Sequence, residues 1–145
     1  MVKNWLEMRI LCKTLLTIIF SGIGAMHFYW AFGGVWSKEL AIPTTSDGVP
    51  LLDPGFGACV VIGLFFGALL LLTHVELSRV VPLLYERILW VIIALIFLVR
   101  AMGDFKYVGL FKHVKQTVFA YHDTLYYTPL CLLVFSLIVV KIAVR

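Results

Sequence analysis

Charged residues are scarce in this sequence. Asp, Glu, Lys and Arg together make up 14% of its 145 residues, whereas an average soluble domain contains about 25%. Hydrophobic residues make up 62% of the chain, and this composition excludes a disordered protein as well as a water-soluble globule. The net charge of +4 does not indicate nucleic-acid binding, because the cations lie between long apolar runs. We therefore predict an integral membrane protein with no nucleic-acid partner.

Sequence motifs of common enzymes and metal sites are missing as well. The chain contains no G-x-S-x-G, H-E-x-x-H, Walker or dinucleotide-binding pattern. Its three cysteines, Cys12, Cys59 and Cys131, include no C-x-x-C pair. We therefore expect neither a metal nor a cofactor. The cysteines are interpreted as buried thiols, and a bridge between Cys59 and Cys131 is left open as an alternative.

Four apolar segments approach the roughly 20 residues that a membrane-crossing helix needs. They span residues 14–32, 56–73, 82–103 and 126–144. In lipid every backbone N–H must be bonded within the protein, so we expect helices rather than strands. The basic N-terminus imitates a signal peptide, but no A-x-A cleavage pattern follows it, and we interpret it as leading into an uncleaved first span. The predicted fold is one all-α domain, residues 1–145, forming an antiparallel four-transmembrane-helix bundle.

The distribution of Lys and Arg predicts how this bundle is oriented. Seven cations flank the side that holds both termini and the second connection: Lys3, Arg9, Lys13, Arg79, Arg87, Lys141 and Arg145. The opposite side has four, or five if Arg100 is included: Lys38, Lys106, Lys112 and Lys115. Because cytoplasmic loops carry an excess of Lys and Arg, both termini are expected in the cytoplasm.

Two long connections then lie on the outer side. Residues 33–55 contain several prolines and glycines, which predicts an irregular surface loop. In residues 107–122, apolar side chains recur every three or four positions, which predicts an amphipathic helix lying in the membrane interface. These side chains are Tyr107, Phe111, Val114, Val118 and Tyr121.

Small residues indicate where the helices could approach closely. Gly63 and Gly67 form a G-x-x-x-G pair on the second span, and Gly24 lies on a stripe of small residues on the first. Burial alone does not drive helices together in lipid, so such faces supply the packing. Packing within one chain and a homodimer seam are both open.

Charged residues near the outer ends of the spans are candidates for function, because ionisable groups inside a membrane are costly. Arg100 and Asp104 stand four positions apart and share a helix face. An acidic residue at a helix C-terminus opposes the helix dipole, so Asp104 should have tertiary partners such as His27, a backbone N–H or a lysine. Two interpretations are open: an ion pair that pins the loop to the bundle, or a ligand contact.

Three further residues complete the candidate set. His27 lies on the small-residue stripe of the first span, where an imidazole could carry a proton, contact a ligand or bond a neighbour. Trp30 is interpreted as part of an interfacial aromatic belt. Asp123 precedes the fourth span and is expected to cap its first turn, with a catalytic carboxylate as the alternative.

Three strings of the sequence resemble a known family. They are HFYWAFGG (27–34), RAMGDFKYVGLFK (100–112) and TVFAYHDTLYYTPLCL (117–132). Over nearly its whole length the chain is similar to a family of small bacterial four-helix membrane proteins that is catalogued as a domain of unknown function. The resemblance implies a bacterial integral membrane protein and brings no activity with it. The residues that recur in that family correspond here to His27, Trp30, Gly33, Gly34, Arg100, Gly103, Asp104, Tyr107, Gly109, Lys112, Phe119, Asp123, Tyr127 and Pro129.

The first functional hypothesis is a binding or sensing module in the bacterial cytoplasmic membrane. The four helices would open outward onto a polar pocket, roofed by residues 33–55 and 104–125. A pocket with mostly apolar walls and a few polar groups suits a lipid headgroup, a small amphiphile or another small molecule. The residues expected to bind this ligand are His27, Trp30, Arg100, Asp104, Tyr107 and Asp123.

Two other hypotheses belong to different classes. A membrane enzyme would use His27 with Asp104 or Asp123 as an acid–base pair, and Arg100 for an anionic substrate. An accessory subunit would use its small-residue face and aromatic helix to dock a larger membrane partner.

Overall fold

The computed structural model describes the backbone of residues 2–144 and their side chains except those of residues 2, 3 and 78. The α-helices are α1 (Val2–Ala31), α2 (Lys38–Ala41), α3 (Phe56–His74), α4 (Leu83–Met102), α5 (Val118–His122) and α6 (Thr128–Ala143). A 3-10 turn, Leu77–Arg79, precedes α4, and a π-turn, Asp123–Tyr127, joins α5 to α6 without a break. Residues 2–144 contain no β-strand; Thr44 and Pro50 form an isolated bridge.

Three helices are long and apolar enough to cross a membrane. They are Asn4–Ala31, Phe56–His74 and Val118–Ala143, the last of which combines α5, the π-turn and α6. The prediction of an all-helical membrane protein is therefore confirmed. The remaining long helix, α4, has 20 residues but carries three charged side chains, Glu86, Arg87 and Arg100.

The helix boundaries agree best with the sequence where apolar runs end abruptly. α3 and α4 begin and end within one residue of the segments 56–73 and 82–103. α1 begins at Val2 instead of near residue 14, and the helix containing α6 begins at Val118 instead of near residue 126. Hydropathy identifies only the apolar part of a helix, which is the part suited to lipid. A helix that continues into polar sequence is therefore longer than its apolar segment.

All four long helices contribute to one apolar core. α1 packs against α3, α4 packs against α6, and α1 also contacts α6. At the centre of this core the Phe20 ring lies 6.0 Å from both the Phe66 and the Phe97 ring. The buried members of the core are Cys12, Leu16, Phe20, Leu69, Trp90, Ile93, Ala94, Phe97, Val134, Leu137 and Ile138. Their spacing of three and four residues is that of helix faces turned toward one another.

Small residues bring α1 and α3 close together. A Cβ atom added at Gly24 would lie 3.6 Å from the carbonyl oxygen of Gly63. One added at Gly63 would lie 3.1 Å from the Phe28 ring, whereas nothing lies within 4 Å of the corresponding position at Gly67. Gly63 therefore packs within the chain, as one of the two interpretations of the G-x-x-x-G pair expected.

The helix ends gather on two opposite faces of the molecule. The start of α1, the end of α3 and the end of α6 line a common cavity. Lys141, near the end of α6, lies over Trp90 in the first half of α4. We call this end the terminal face. The opposite end, the loop face, carries the connections 32–55 and 103–117.

The predicted interfacial helix over 107–122 is wrong for residues 107–117, which form turns and bends; only Val118–His122 is helical. The loop from Gly103 to Gly109 has a backbone unsuited to an α-helix, because Gly103, Phe105 and Gly109 all have positive φ angles, of 84°, 63° and 87°. Phe111, one of the recurring aromatic residues, packs within the loop: its ring stacks on that of Phe105, with the centroids 5.9 Å apart.

Candidate functional site

The most concentrated group of charges lies around Asp123, in the π-turn that joins α5 to α6. The Asp123 side chain is fully buried. Its Oδ1 accepts a hydrogen bond from Arg100 Nη2 at 3.0 Å. Its Oδ2 accepts from the Gly109 backbone N–H at 2.8 Å, from Lys112 Nζ at 2.9 Å and from Thr128 Oγ1 at 3.2 Å. We call these five residues the Asp123 cluster.

The cluster holds two cations for one carboxylate. Lys112 is 4% exposed and also donates to the Gly109 carbonyl at 3.1 Å. The Arg100 side chain is 37% exposed, and its buried Nη1 has no hydrogen-bond partner within the described part of the chain. Burying a charge is expensive unless it is paired and hydrogen-bonded, so these contacts explain how Asp123 and Lys112 can lie inside the fold.

A tight loop places Gly109 and Lys112 within hydrogen-bond distance of Asp123. A Cβ atom added at Gly103 would lie 1.7 Å from the Val108 carbonyl oxygen, and one added at Gly109 would lie 2.6 Å from the Cα of Gly103. Only glycine fits both positions, which also have positive φ angles. The loop is closed by a hydrogen bond from the Leu110 N–H to the Ala101 carbonyl at 2.8 Å.

Asp104 holds the same loop from its exposed side. Its Oδ1 accepts hydrogen bonds from the backbone N–H groups of Lys106, Tyr107 and Val108 at 2.9, 2.7 and 2.9 Å. Partial burial would raise the pKa of Asp104, but these N–H bonds outweigh it and hold the pKa below its ordinary value. A backbone N–H was one of the partners expected for Asp104. Arg100 pairs instead with Asp123.

A cleft of about 470 Å³ opens on the loop face. One wall comes from residues 39–50, which include α2, and the other from residues 116–119 at the start of α5; α2 contacts α5 directly. The lining mixes polar side chains, such as Glu39 and Gln116, with apolar ones, such as Leu40 and Phe119. We call this the loop-face cleft.

The comparison with family models decides where this chain belongs. Residues 20–138 match the model described as "Protein of unknown function (DUF3995)". The chain is a member of the DUF3995 family. Neither a curated protein nor a solved structure matches it.

In this DUF3995 protein the matched region contains the whole Asp123 cluster and the whole loop-face cleft. The interfacial helix predicted over 107–122 gave no reason to expect the burial of Lys112. The prediction that Asp123 caps a helix is wrong, because its helix begins five residues earlier, where Thr117 Oγ1 accepts from the Ala120 N–H at 3.1 Å. The signal that could have located the cluster was the family pattern, which includes Arg100, Gly109, Lys112 and Asp123.

The remaining predicted site residues lie in separate groups. His27 Nδ1 donates to the Ile23 carbonyl at 2.9 Å, and its ring meets Trp30 edge-on at 5.1 Å. Trp30 Nε1 donates to the Trp36 carbonyl at 2.9 Å. Tyr107 lies in the loop, with Lys106 Nζ 5.0 Å from its ring. Within the described residues no hydrogen bond or ion pair joins His27 to Asp104 or Asp123, and His27, Arg100 and Asp104 do not line the loop-face cleft.

The described residues of this DUF3995 protein bring no three His, Cys, Asp or Glu side chains together as a metal site. All three cysteines are free thiols, so the alternative of a Cys59–Cys131 bridge is wrong. Cys59 Sγ instead lies 3.7 Å from the Pro54 carbonyl oxygen, to which it donates.

Proposed function

We propose that this DUF3995 protein is a membrane-embedded binding module whose loop-face cleft takes a small neutral or cationic amphiphile. The observation that carries the proposal is the cleft itself. Its volume of about 470 Å³ falls within the roughly 300–1,000 Å³ of small-molecule sites. It also lies between the same two connections that the sequence predicts as the roof of a ligand pocket.

The Asp123 cluster supports this role because it makes one wall of the cleft rigid. Residues 116–119 lead directly into α5, and α5 continues without a break into the π-turn that holds Asp123. The loop before them is tied to the same carboxylate through Gly109 and Lys112. A wall fixed before the ligand arrives lowers the entropy lost on binding.

The charge of the lining indicates the class of ligand. Glu39 is the charged side chain of the loop-face cleft, and the other polar groups are hydroxyls and an amide, including Thr44 and Gln116. A carboxylate disfavours an anion and attracts an amine or another cation. Apolar side chains from both walls suit a hydrocarbon portion of the same ligand.

The proposal includes an arrangement in the bilayer. All four long helices cross the membrane as an antiparallel bundle, with the charges of α4 kept near its two ends. The terminal face, richer in Lys and Arg, lies in the cytoplasm, and the cleft opens on the opposite side. The family resemblance points to a bacterial cytoplasmic membrane.

A cleft-filling substitution tests the proposal. Wild-type protein extracted in a mild detergent is expected to carry a bound small molecule that native mass spectrometry detects. Gln116→Trp places an indole in the cleft, so the bound molecule should be lost while the melting temperature is kept. Lys115→Trp is the matched control, because Lys115 is the neighbouring exposed residue and does not line the cleft; it should retain the molecule.

Two results would contradict the proposal. One is a wild-type protein that carries detergent alone; the other is equal retention of the molecule by Gln116→Trp and Lys115→Trp. The acid–base alternative gains no support from the site, since Asp123 is buried against two cations and Asp104 already accepts three backbone N–H groups.

A further inference from the structure

A second cavity, of about 350 Å³, opens on the terminal face, on the opposite side of the molecule from the loop-face cleft. Three of its lining residues are cations: Arg9 and Lys13 on α1, and Lys141 on α6. None of the three belongs to an ion pair within the described residues. Arg9 and Lys13 stand four positions apart and therefore share a helix face. The cavity thus gathers three cations for which the described residues provide no ion-pair partner.

Lys141 is held in this cavity by an aromatic ring. Its Nζ lies 4.6 Å from the centroid of the Trp90 ring. A cation–π contact fixes the position of an ammonium group without adding a formal negative charge.

The carboxylate that lines the cavity, Glu76, pairs with Arg79. Glu76 Oε2 accepts hydrogen bonds from Arg79, at 2.7 Å from Nη2 and 2.8 Å from Nε. Arg79 balances the negative charge of Glu76.

His74 adds a polar group whose tautomer the neighbouring contacts determine. The Thr17 hydroxyl donates its proton to the Lys13 carbonyl at 2.7 Å. Its oxygen, 3.0 Å from His74 Nε2, must therefore accept from that nitrogen. His74 therefore lines the cavity as a polar group that is bonded to α1 through Thr17.

From this arrangement we infer that the terminal-face cavity binds a phosphate group, presented either by an anionic lipid headgroup or by free phosphate. Clusters of Lys and Arg between helix ends at a membrane surface are the physical basis of headgroup binding. The apolar side chains of Leu6, Ile10 and Val75 also line the cavity, beside the polar groups. The inference does not depend on the loop-face cleft.

Two probes distinguish the sources of the phosphate. The purified full-length protein in a neutral detergent is titrated with dioctanoyl phosphatidylglycerol and, separately, with inorganic phosphate, while its melting temperature is recorded. Arg9→Gln and Lys13→Gln should each raise the half-saturating concentration about fivefold, the effect of removing one cation near a charged surface. Arg87→Gln is the matched control, because Arg87 is an exposed cation at the start of α4 that does not line the cavity.

The two titrations distinguish a lipid headgroup from free phosphate. Stabilisation by the lipid alone assigns the cavity to a headgroup, and stabilisation by inorganic phosphate as well assigns it to free phosphate. No stabilisation by either probe, or an equal loss of affinity in Arg87→Gln and Arg9→Gln, overturns the inference. Gln116→Trp should leave these titrations unchanged, so failure of the loop-face proposal would be seen independently.

Discussion

At residue 123 a single carboxylate joins three segments of the chain. Its donors come from the end of α4, from the loop at residues 109–112 and from Thr128 at the start of α6. No pattern within one helix predicts such an arrangement, because its members are distant in sequence and meet only in the folded molecule. A carboxylate just before an apolar run predicts a helix cap, and this local interpretation was the one available from the sequence.

Asp123→Asn should destabilise the protein by about 3–5 kcal/mol, because it leaves Lys112 buried without a full counter-charge. Thermal or denaturant unfolding in detergent measures the change. The matched control is Asp53→Asn, which breaks the ion pair between Asp53 and Lys38, 3.3 Å apart, where the Asp53 side chain is 88% exposed.

An exposed pair of this kind contributes less than about 1 kcal/mol, so Asp53→Asn should unfold almost as the wild type does. Equal stability of Asp123→Asn and the wild type would show that the buried charges do not hold the fold together.

Among the elements, the helices were more predictable than the connection between α4 and α5. α3 and α4 follow from long apolar runs bounded by Gly55 and Pro82, and such runs are a local property of the sequence. The 103–117 loop also has a helical period in its aromatic residues, yet it forms turns. Gly103 and Gly109 determine its path through positive φ angles and mutual contact, and such contacts are not visible in periodicity.

The Asp104 turn should depend on pH in a defined direction. The folded pKa of Asp104 lies below its ordinary value, so the carboxylate stabilises the turn above the unfolded pKa. This stabilisation is lost as the pH falls through the folded pKa. NMR shifts of the Lys106, Tyr107 and Val108 amides, followed from neutral pH downward, should therefore change together at a pH below the ordinary aspartate value.

Asp104→Asn provides the control, because these amide shifts should then lose the transition. A transition in the wild type at or above the ordinary aspartate pKa would mean that the three N–H bonds do not stabilise the charged carboxylate.

On the scale of the whole molecule, the cations that line the terminal-face cavity differ from three paired cations of the loop face. On the loop face, Lys38, Arg100 and Lys112 each pair with an aspartate. On the terminal face, Arg9, Lys13 and Lys141 lie in a cavity without such a pair among the described residues. The sequence predicted the excess of cations near the termini, but it could not show which cations were neutralised, since that depends on tertiary contacts.

Four crossings place both ends of the chain on one side of the membrane, whereas three crossings would place them on opposite sides. Green fluorescent protein fused to either end should therefore fluoresce in bacterial cells, and alkaline phosphatase inserted after Ser46 should be active outside the cytoplasm. Opposite results for the two ends would contradict the four-helix arrangement, and an active phosphatase at both ends would reverse its orientation.

The pairing of Arg100 with Asp123 also has a consequence for biosynthesis. A ribosome adds Arg100 to the growing chain 23 residues before it adds the aspartate that neutralises it. Until Asp123 has been translated, the guanidinium of α4 has no native counter-ion. An unpaired arginine is costly inside a bilayer, by about 2.5–3.5 kcal/mol or more if it reaches the middle. In the proposed four-helix arrangement, the end of α4 is therefore expected to stay at the aqueous boundary until the segment that carries Asp123 has been synthesised.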